Sequence, residues 1–459
     1  MKRTTIAVLA VMALPVSVLA GMSPATAGSR PAVAASGALP IQHVVVIYQE
    51  NHTFDNMLGS YCIAQGNRCD GGTGVGMAGT TPVRITPAPD IVPAVDHSIG
   101  GQIKAIDNGK MDGFYLLQGC TAPTYACYTS AGANEDPNLQ ALATTYALSD
   151  RTFAQTPVMS WEQHIQLGAL TSDGFFGNNP VPDPALNGIV KPDGWGCAGA
   201  DHVKWGPTQQ WVPPCIPTSA GFIPRGTSPV PYVPDFYDNV LAANNISYRL
   251  YGALYDTGTQ DNVWSPGAAF ATWRYSSQYA TTAKRDKAIF TDISTGNLPQ
   301  VSYVTPNGQT SQHNLDSIIQ GDNWIGQVVS AIENSSYWGS TAIIISYDDC
   351  GCFYDHVVPP AGMGMRTPLV IVSPWVKSGY VDSTPVSYAP SSLAFIEWVF
   401  GLPPLTSTSP DNGAYAWQNA FNFTQTPLAR VPMRTTAVPQ SSVQYLAAHP
   451  ASQIASADT

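Results

Sequence analysis

Apolar and β-branched runs, separated by polar stretches, predict several buried β-strands along this chain. The runs cover residues 43–48, 246–251, 301–305, 341–347 and 368–372. Residues 322–335 repeat apolar positions at helical spacing and therefore predict an amphipathic helix. A second helix is predicted over 393–400, capped by Ser391 or Ser392 and ended by Gly401.

Strands that alternate with helices predict an α/β fold with a mostly parallel central sheet and helices on both faces. Ligands of such sheets bind outside the carboxyl ends of the strands. Residues 28–424 are expected to form one catalytic domain. Within it, about 110–234 are rich in Pro, Gly, Trp and Cys and predict a loop-rich cap, while 425–459 form a docked or frayed tail.

The amino terminus has the pattern of an export signal. Residues 1–27 begin with Lys2 and Arg3, continue through a short apolar run and end in Ala-Thr-Ala, a typical signal peptidase site. A membrane anchor is the alternative, but the apolar run is short for a bilayer span and contains Pro15. We therefore expect a secreted protein, extracellular or periplasmic, with no transmembrane segment in the mature chain.

Eight cysteines are consistent with export, because disulfides persist in oxidising compartments. Spacing does not determine connectivity, but the simplest expectation is three local disulfides, Cys62–Cys69, Cys120–Cys127 and Cys197–Cys215. The sequence Cys350-Gly351-Cys352 is too tight to bridge without strain, so its redox state stays open.

Composition narrows the class of protein further. Apolar residues make up 44% of the chain and charged residues 11%, so a large core can form. A net charge of −11 provides no basic footprint for duplex nucleic acid. No protein partner is inferred from the sequence.

Pairs of residues that carry carboxylates follow two of the predicted strands. Glu50 and Asn51 follow the strand at 43–48, and Asp348 and Asp349 follow the strand at 341–347. Three carboxylates brought together need a compensating cation, and a divalent metal with oxygen ligands is the simplest one. Two alternatives remain: the acids lie in separate solvated loops, or Asn51, which begins an Asn-His-Thr sequon, carries a glycan.

Four sequence blocks resemble a known family. They are QENHTFD at 49–55, GKMDGF at 109–114, YDDCGCFYDHV at 347–357 and RTPLVIVSPW at 366–375. In this order they are similar to the bacterial phosphoesterases that include secreted phospholipases C and acid phosphatases, which have an alkaline-phosphatase-like fold. GxSxG, HExxH and Walker A motifs are absent from the sequence.

The resemblance implies a divalent metal, with Ca, Mg, Mn and Zn all possible. Its implied ligands are Glu50, Asn51, Asp348 and Asp349. This chain departs from the family in having Asp349 where Glu is usual and Cys-Gly-Cys where a Gly-Gly pair normally follows. Aspartate still offers oxygen ligands, so metal binding is expected to survive.

The resemblance also implies catalytic residues. Ser160 matches the family nucleophile, and His97 and His313 match histidines that line the phosphate site. From the residues alone, Ser160 would be a simple helix N-cap, and each histidine a hydrogen-bonded loop residue. His356 is expected to support the site from outside or to be purely structural.

These observations predict a metal-dependent phosphoesterase that acts through a phosphoserine. A phosphomonoesterase is expected, because larger family phospholipases C carry further domains and this chain ends soon after residue 423. The alternatives are a phospholipase C and a non-catalytic phosphate- or ligand-binding protein. The binding partner is then a small phosphate ester or a phospholipid head group. Some aromatic residues of the Trp- and Tyr-rich loops are expected to pack inside or, alternatively, to form a lipid-facing rim: Trp195, Trp205, Trp211, Tyr232 and Tyr237.

Overall fold

The computed structural model describes the chain in several stretches. They are residues 39–176, 180–181, 195–199, 201–224, 226, 228–254 and 264–449. The predicted signal peptide, residues 1–27, and the last ten residues of the tail lie outside them.

Sixteen strands occur in the described stretches. They are β1 (His43–Gln49), β2 (Val75–Ala78), β3 (Thr81–Arg84), β4 (Thr86–Pro87), β5 (Thr129–Ser130), β6 (Ala147–Ser149), β7 (Thr152–Phe153), β8 (Val203–Trp205), β9 (Gln210–Val212), β10 (Tyr248–Tyr251), β11 (Ala283–Lys284), β12 (Val301–Val304), β13 (Thr341–Tyr347), β14 (Leu369–Val372), β15 (Val381–Asp382) and β16 (Val386–Ser387).

Ten α-helices occur in the same stretches. They are α1 (Ser60–Ala64), α2 (Ile99–Ile106), α3 (Pro137–Thr145), α4 (Ser160–Ala169), α5 (Ala271–Arg274), α6 (Tyr279–Thr282), α7 (Ala288–Ser294), α8 (Ile318–Glu333), α9 (Tyr388–Phe400) and α10 (Gln440–Ala448). Helices α3 and α7 pack against α8, and α4 packs against α9.

Eight strands form the central sheet in the order β11-β10-β12-β1-β13-β14-β6-β15. The five strands from β11 to β13 are parallel, whereas β14 is antiparallel to both of its neighbours. Strands β1 and β13 lie in the interior and are buried almost throughout, which is why both read as continuous apolar runs. The predicted α/β class with a mostly parallel sheet is confirmed.

Both predicted helices begin earlier than expected. Helix α8 starts at Ile318, where the hydroxyl of Ser317 accepts a hydrogen bond from the Gln320 amide. Helix α9 starts at Tyr388, so the predicted caps Ser391 and Ser392 lie inside it and that prediction is wrong. Pro390 is tolerated there because amides of the first turn have no partner within the helix. The end of α9 at Gly401, which is left-handed, is confirmed.

The three predicted disulfides are present, joining Cys62 to Cys69, Cys120 to Cys127 and Cys197 to Cys215. Cys350 and Cys352 are buried thiols.

The tail is docked over its described part. The amides of Leu428 and Arg434 donate to the Pro374 carbonyl and to the Asn138 side chain, at 2.8 and 2.7 Å. Within the described ranges, none of the helices has the length and apolar character needed to cross a lipid bilayer.

Candidate functional site

The ends of β1 and β13 bring two acidic side chains together. These strands are parallel neighbours with Gln49 opposite Tyr347, so the residues that follow them leave the sheet side by side. The amide of Asp348 donates to the Gln49 carbonyl at 3.0 Å, and the amide of Asn51 donates to Asp348 Oδ1 at 2.9 Å. The two chain segments are therefore tied together directly beside Glu50.

Asn51 has a left-handed backbone with φ of 57° and is completely buried. Its side-chain Nδ2 donates to His97 Nε2 at 2.9 Å, and His97 Nδ1 donates to the Val95 carbonyl at 2.8 Å. His97 thus fixes the orientation of the amide and leaves Asn51 Oδ1 as the atom turned away from it. Complete burial excludes a glycan on Asn51 in the folded chain, so the sequon alternative is wrong.

Helix α4 carries Ser160 and His164 on one face. Met159 occupies the N-cap position and Ser160 is the first helical residue, so Ser160 is not the N-cap. His164 lies one helical turn further on, on the same side of the helix. Its Nε2 lies 3.0 Å from Glu50 Oε1. Through this contact the start of α4 is placed next to the ends of β1 and β13.

The remaining predicted residues lie around this group. Asp349 is buried, and its Oδ1 accepts a hydrogen bond from the Gly351 amide at 2.8 Å. The His313 ring lies 5.9 Å from the His97 ring and 5.5 Å from the Trp264 ring, measured between centroids. His313 Nδ1 lies 2.9 Å from the Asn314 carbonyl.

The residues present fit a divalent cation. One ligand atom from each of Glu50, His164 and Asp348 lies within 4.8 Å of the others. Buried polar atoms nearby have no hydrogen-bond partner in the described part of the chain: Asn51 Oδ1, Asp348 Oδ2 and Ser160 Oγ. Burial, opposed by the charge of Asp348, lowers the pKa of His164 to about 4, so its imidazole is neutral, as a metal ligand must be.

Sequence reasoning missed His164. The signal was its position four residues after Ser160, which places both on one helical face. Asp349, predicted as a ligand, is not part of the group of three atoms.

His356 belongs to a different cluster. Its Nδ1 contacts Asp55 Oδ2 at 2.6 Å, and its Nε2 contacts Asp70 Oδ1 at 2.9 Å. Arg366 lies between Asp55 and Asp355, with Nη2 at 2.7 and 3.1 Å from their oxygens. A guanidinium already neutralises these acids, so this cluster is an ion-pair network that joins loops.

The family model of the phosphoesterase family matches residues 41–403. The chain belongs to this family. Among curated proteins it is 28% identical to the non-hemolytic phospholipase C of Pseudomonas aeruginosa, over 41% of this chain and 33% of that protein. It is 21% identical to the non-specific phospholipase C1 of Arabidopsis thaliana, over 84% of this chain and 72% of that protein.

The matched region thus spans about a third of the Pseudomonas protein. Among solved structures, a protein in the alkaline phosphatase superfamily from Vibrio parahaemolyticus matches with a TM-score of 0.37 and 12% identity. That match covers 87% of this chain and 72% of that chain. The phosphonate monoester hydrolase of Agrobacterium radiobacter matches with a TM-score of 0.33 and 13% identity, over 79% of this chain and 74% of that one.

Proposed function

We propose that this chain is an exported, metal-dependent phosphoesterase that hydrolyses phosphate monoesters through a phosphoserine on Ser160. The observation that carries the proposal is the position of the Ser160 hydroxyl. This hydroxyl is buried and makes no hydrogen bond within the described part of the chain. It lies at the start of helix α4, and His164 of the same helix contacts Glu50. Membership of the phosphoesterase family supports the reaction class.

Glu50, Asn51 and Asp348 would hold the metal, with Asp349 and His164 as the further donors at hand. When bound, the ion supplies positive charge that offsets the charge of the phosphate and favours ionisation of the serine hydroxyl. Oxygen and imidazole donors suit several divalent ions, so the donor set does not select one metal.

Ser160 Oγ attacks phosphorus, forming the serine–phosphorus bond while the bond to the ester oxygen breaks. The first turn of α4 presents backbone amides that have no helical partner, and these hold phosphate oxygens. A histidine gives a proton to the departing ester oxygen. Water then hydrolyses the phosphoserine and restores the hydroxyl.

We assign the proton transfer to the leaving ester oxygen to His313 rather than to His97. Both ring nitrogens of His97 are engaged, one by the Asn51 amide and one by the Val95 carbonyl. His97 is therefore better suited to holding Asn51 in place. The His313 ring lies 5.9 Å from the His97 ring, measured between centroids, and His313 is therefore the proton donor in this proposal.

Burial of the site favours a monoester. Ser160, His97 and His313 are each at most 1% exposed, which suits a terminal phosphoryl group on a small alcohol. Of the aromatic residues considered for a lipid-facing rim, Trp195 and Tyr237 are buried and pack inside, whereas Trp211 is 44% exposed. A phospholipase C is the second candidate, because the curated relatives named above are phospholipases C.

The test uses the purified mature protein with p-nitrophenyl phosphate, p-nitrophenyl phosphorylcholine and phosphatidylcholine, each with and without chelator. Cleavage of the monoester alone supports the proposal. Cleavage of the choline ester and the lipid would replace it with phospholipase C, and no turnover would leave a binding protein.

Ser160→Ala tests the nucleophile. Turnover should fall by at least roughly a thousandfold while the bound metal, measured by atomic emission, stays unchanged. Ser302→Ala is the matched control: this serine is also buried, but it lies in β12 opposite Val45, well before the strand end that carries Glu50. Full activity of Ser160→Ala would remove Ser160 from the mechanism.

A further inference from the structure

Two buried thiols lie directly after the acidic pair at the end of β13. The sulfurs of Cys350 and Cys352 are 3.1 Å apart, and neither belongs to any of the three disulfides. Only Gly351 separates them, and both Gly351 and Cys352 have left-handed backbones, with φ of 47° and 51°. The turn therefore holds the two sulfurs against each other inside the protein.

This turn contacts both halves of the candidate metal site. The Gly351 amide donates to Asp349 Oδ1 at 2.8 Å. On its other side the glycine packs against Asn51 so closely that an added Cβ would lie 2.1 Å from the Asn51 carbonyl oxygen. The next side chain, Phe353, stacks on His52 with ring centroids 5.2 Å apart. Through these contacts a change in the backbone of the turn is expected to reach Asp349, Asn51 or both.

We propose that Cys350 and Cys352 form a redox modification site whose closure to a disulfide shifts the Asp349 carboxylate. The oxidant is a small-molecule disulfide such as oxidised glutathione. The two cysteine sulfurs lose two protons and two electrons and form one S–S bond, while the oxidant's S–S bond breaks and yields two thiols. Its effect on activity rests on the proposed function.

The size of the movement follows from the geometry. A disulfide requires a sulfur separation of about 2.05 Å, so the two sulfurs must approach each other by about 1 Å. On the Asn51 side of Gly351 there is no space even for a Cβ. We therefore expect the displacement on the other side of the turn, where Cys350 continues directly from Asp349.

The first experiment determines the redox state by mass spectrometry. The purified mature protein is incubated with oxidised glutathione, denatured, alkylated and digested. A peptide containing a Cys350–Cys352 disulfide that dithiothreitol reopens supports the proposal, whether it is found before or after incubation. Because both sulfurs are buried, a second sample is refolded in the same oxidant. Two alkylated cysteines in both samples, or only mixed disulfides with glutathione, would overturn the proposal.

The second experiment measures the effect on the site. Hydrogen exchange is compared between the dithiol and disulfide forms in peptides covering 49–55 and 347–357. Exchange should rise in the disulfide form, and equal exchange would overturn the coupling. The variant carrying both Cys350→Ser and Cys352→Ser is the control and should give one pattern whatever the oxidant.

Binding of Mn²⁺, followed by electron paramagnetic resonance, gives the functional consequence. Affinity should be about ten- to a hundredfold weaker in the disulfide form, the usual effect of disturbing a group that orients a metal ligand. Equal affinity in the two forms would overturn the predicted effect. Failure of both forms to bind Mn²⁺ would contradict the proposed metal site, whereas hydrogen exchange still decides the redox coupling.

Discussion

Replacing Arg366 with methionine is expected to destabilise the fold by about 3–5 kcal/mol. The guanidinium is fully buried, with Nη2 2.7 Å from Asp55 Oδ1 and Nε 3.1 and 3.2 Å from the two oxygens of Asp355. Its Nη1 donates to the backbone carbonyls of Asp70 and Asp150, at 2.8 and 3.0 Å. The side chain thus joins four chain segments through hydrogen bonds.

The magnitude follows from what the substitution leaves behind. Methionine fills much of the volume, so the cavity is small. It leaves the carboxylates of Asp55 and Asp355 buried without their guanidinium, and removing one partner of a buried ion pair costs several kcal/mol. Two backbone carbonyls also lose a donor, and this loss is contained in the range of about 3–5 kcal/mol. His356 still contacts Asp55, so this carboxylate keeps one partner.

The loss should depend on pH. Burial, opposed by Arg366, raises the pKa of Asp355 from 3.8 to about 6. The folded state therefore holds this proton more tightly than the unfolded state, and the resulting stabilisation is lost as pH rises through about 6. Without the guanidinium this carboxyl pKa rises further. In the Arg366→Met variant, protonation of Asp355 at low pH removes the buried charge. The destabilisation is therefore smaller at pH 5 than at pH 8.

Urea unfolding followed by tryptophan fluorescence at these two pH values measures the effect. Arg151→Met is the matched control, because Arg151 pairs with Asp70 in a partly exposed position, where ion pairs contribute less than about 1 kcal/mol. Equal losses in the two variants, or a loss at Arg366 that is the same at both pH values, would refute the reasoning.

Three other outcomes are expected. Gly351→Ala should cost about 1–3 kcal/mol in urea unfolding, because its left-handed backbone and the nearby Asn51 carbonyl leave no room for a Cβ; Gly339→Ala, which faces open space, should change stability by less than about 0.5 kcal/mol. Burial lowers the pKa of His356, but the contacts with Asp55 and the charge of Asp355 together raise it, and the net shift is upward; the stability difference between the wild type and His356→Gln should therefore shrink from pH 5.5 to pH 9. Removing the metal with a chelator should lower the melting temperature in calorimetry, since an ion at a hundred times its Kd stabilises the fold by about 2.7 kcal/mol; an unchanged melting temperature would contradict the metal site.

Burial explains which strands the sequence could predict. The prediction for β13 agrees with the structure at both ends, and that for β1 to within one residue, because both are long and buried on both faces. Strands β6, β11 and β15 were not predicted. They have two or three residues each, too few to show a period, and their pairing depends on neighbours distant in the chain.

The carboxylates of the site, Glu50 and Asp348, could be predicted because they follow the two long buried strands. Once β1 and β13 are taken as strands of one parallel sheet, Glu50 and Asp348 follow at the same edge. The position of the His164 imidazole could not be predicted from the strand pattern. His164 lies on a fully buried helix, where it has no distinguishing pattern, and its contact with Glu50 depends on where α4 packs.

Asn51 combines a strained left-handed backbone with a side-chain oxygen that is a candidate metal ligand. Asparagine tolerates a left-handed backbone better than most residues, but the conformation is still sparsely populated and must be held by its surroundings. Here the backbone amide is held by Asp348 and the side-chain amide by His97. These two contacts hold the backbone amide and the side-chain nitrogen in place and leave the side-chain oxygen without a partner in the described part of the chain. A buried acceptor left unpaired beside carboxylates is unfavourable in the protein alone. A cation removes that cost and the repulsion between the acids together, which is why the strain and the metal site are expected to occur at the same residue.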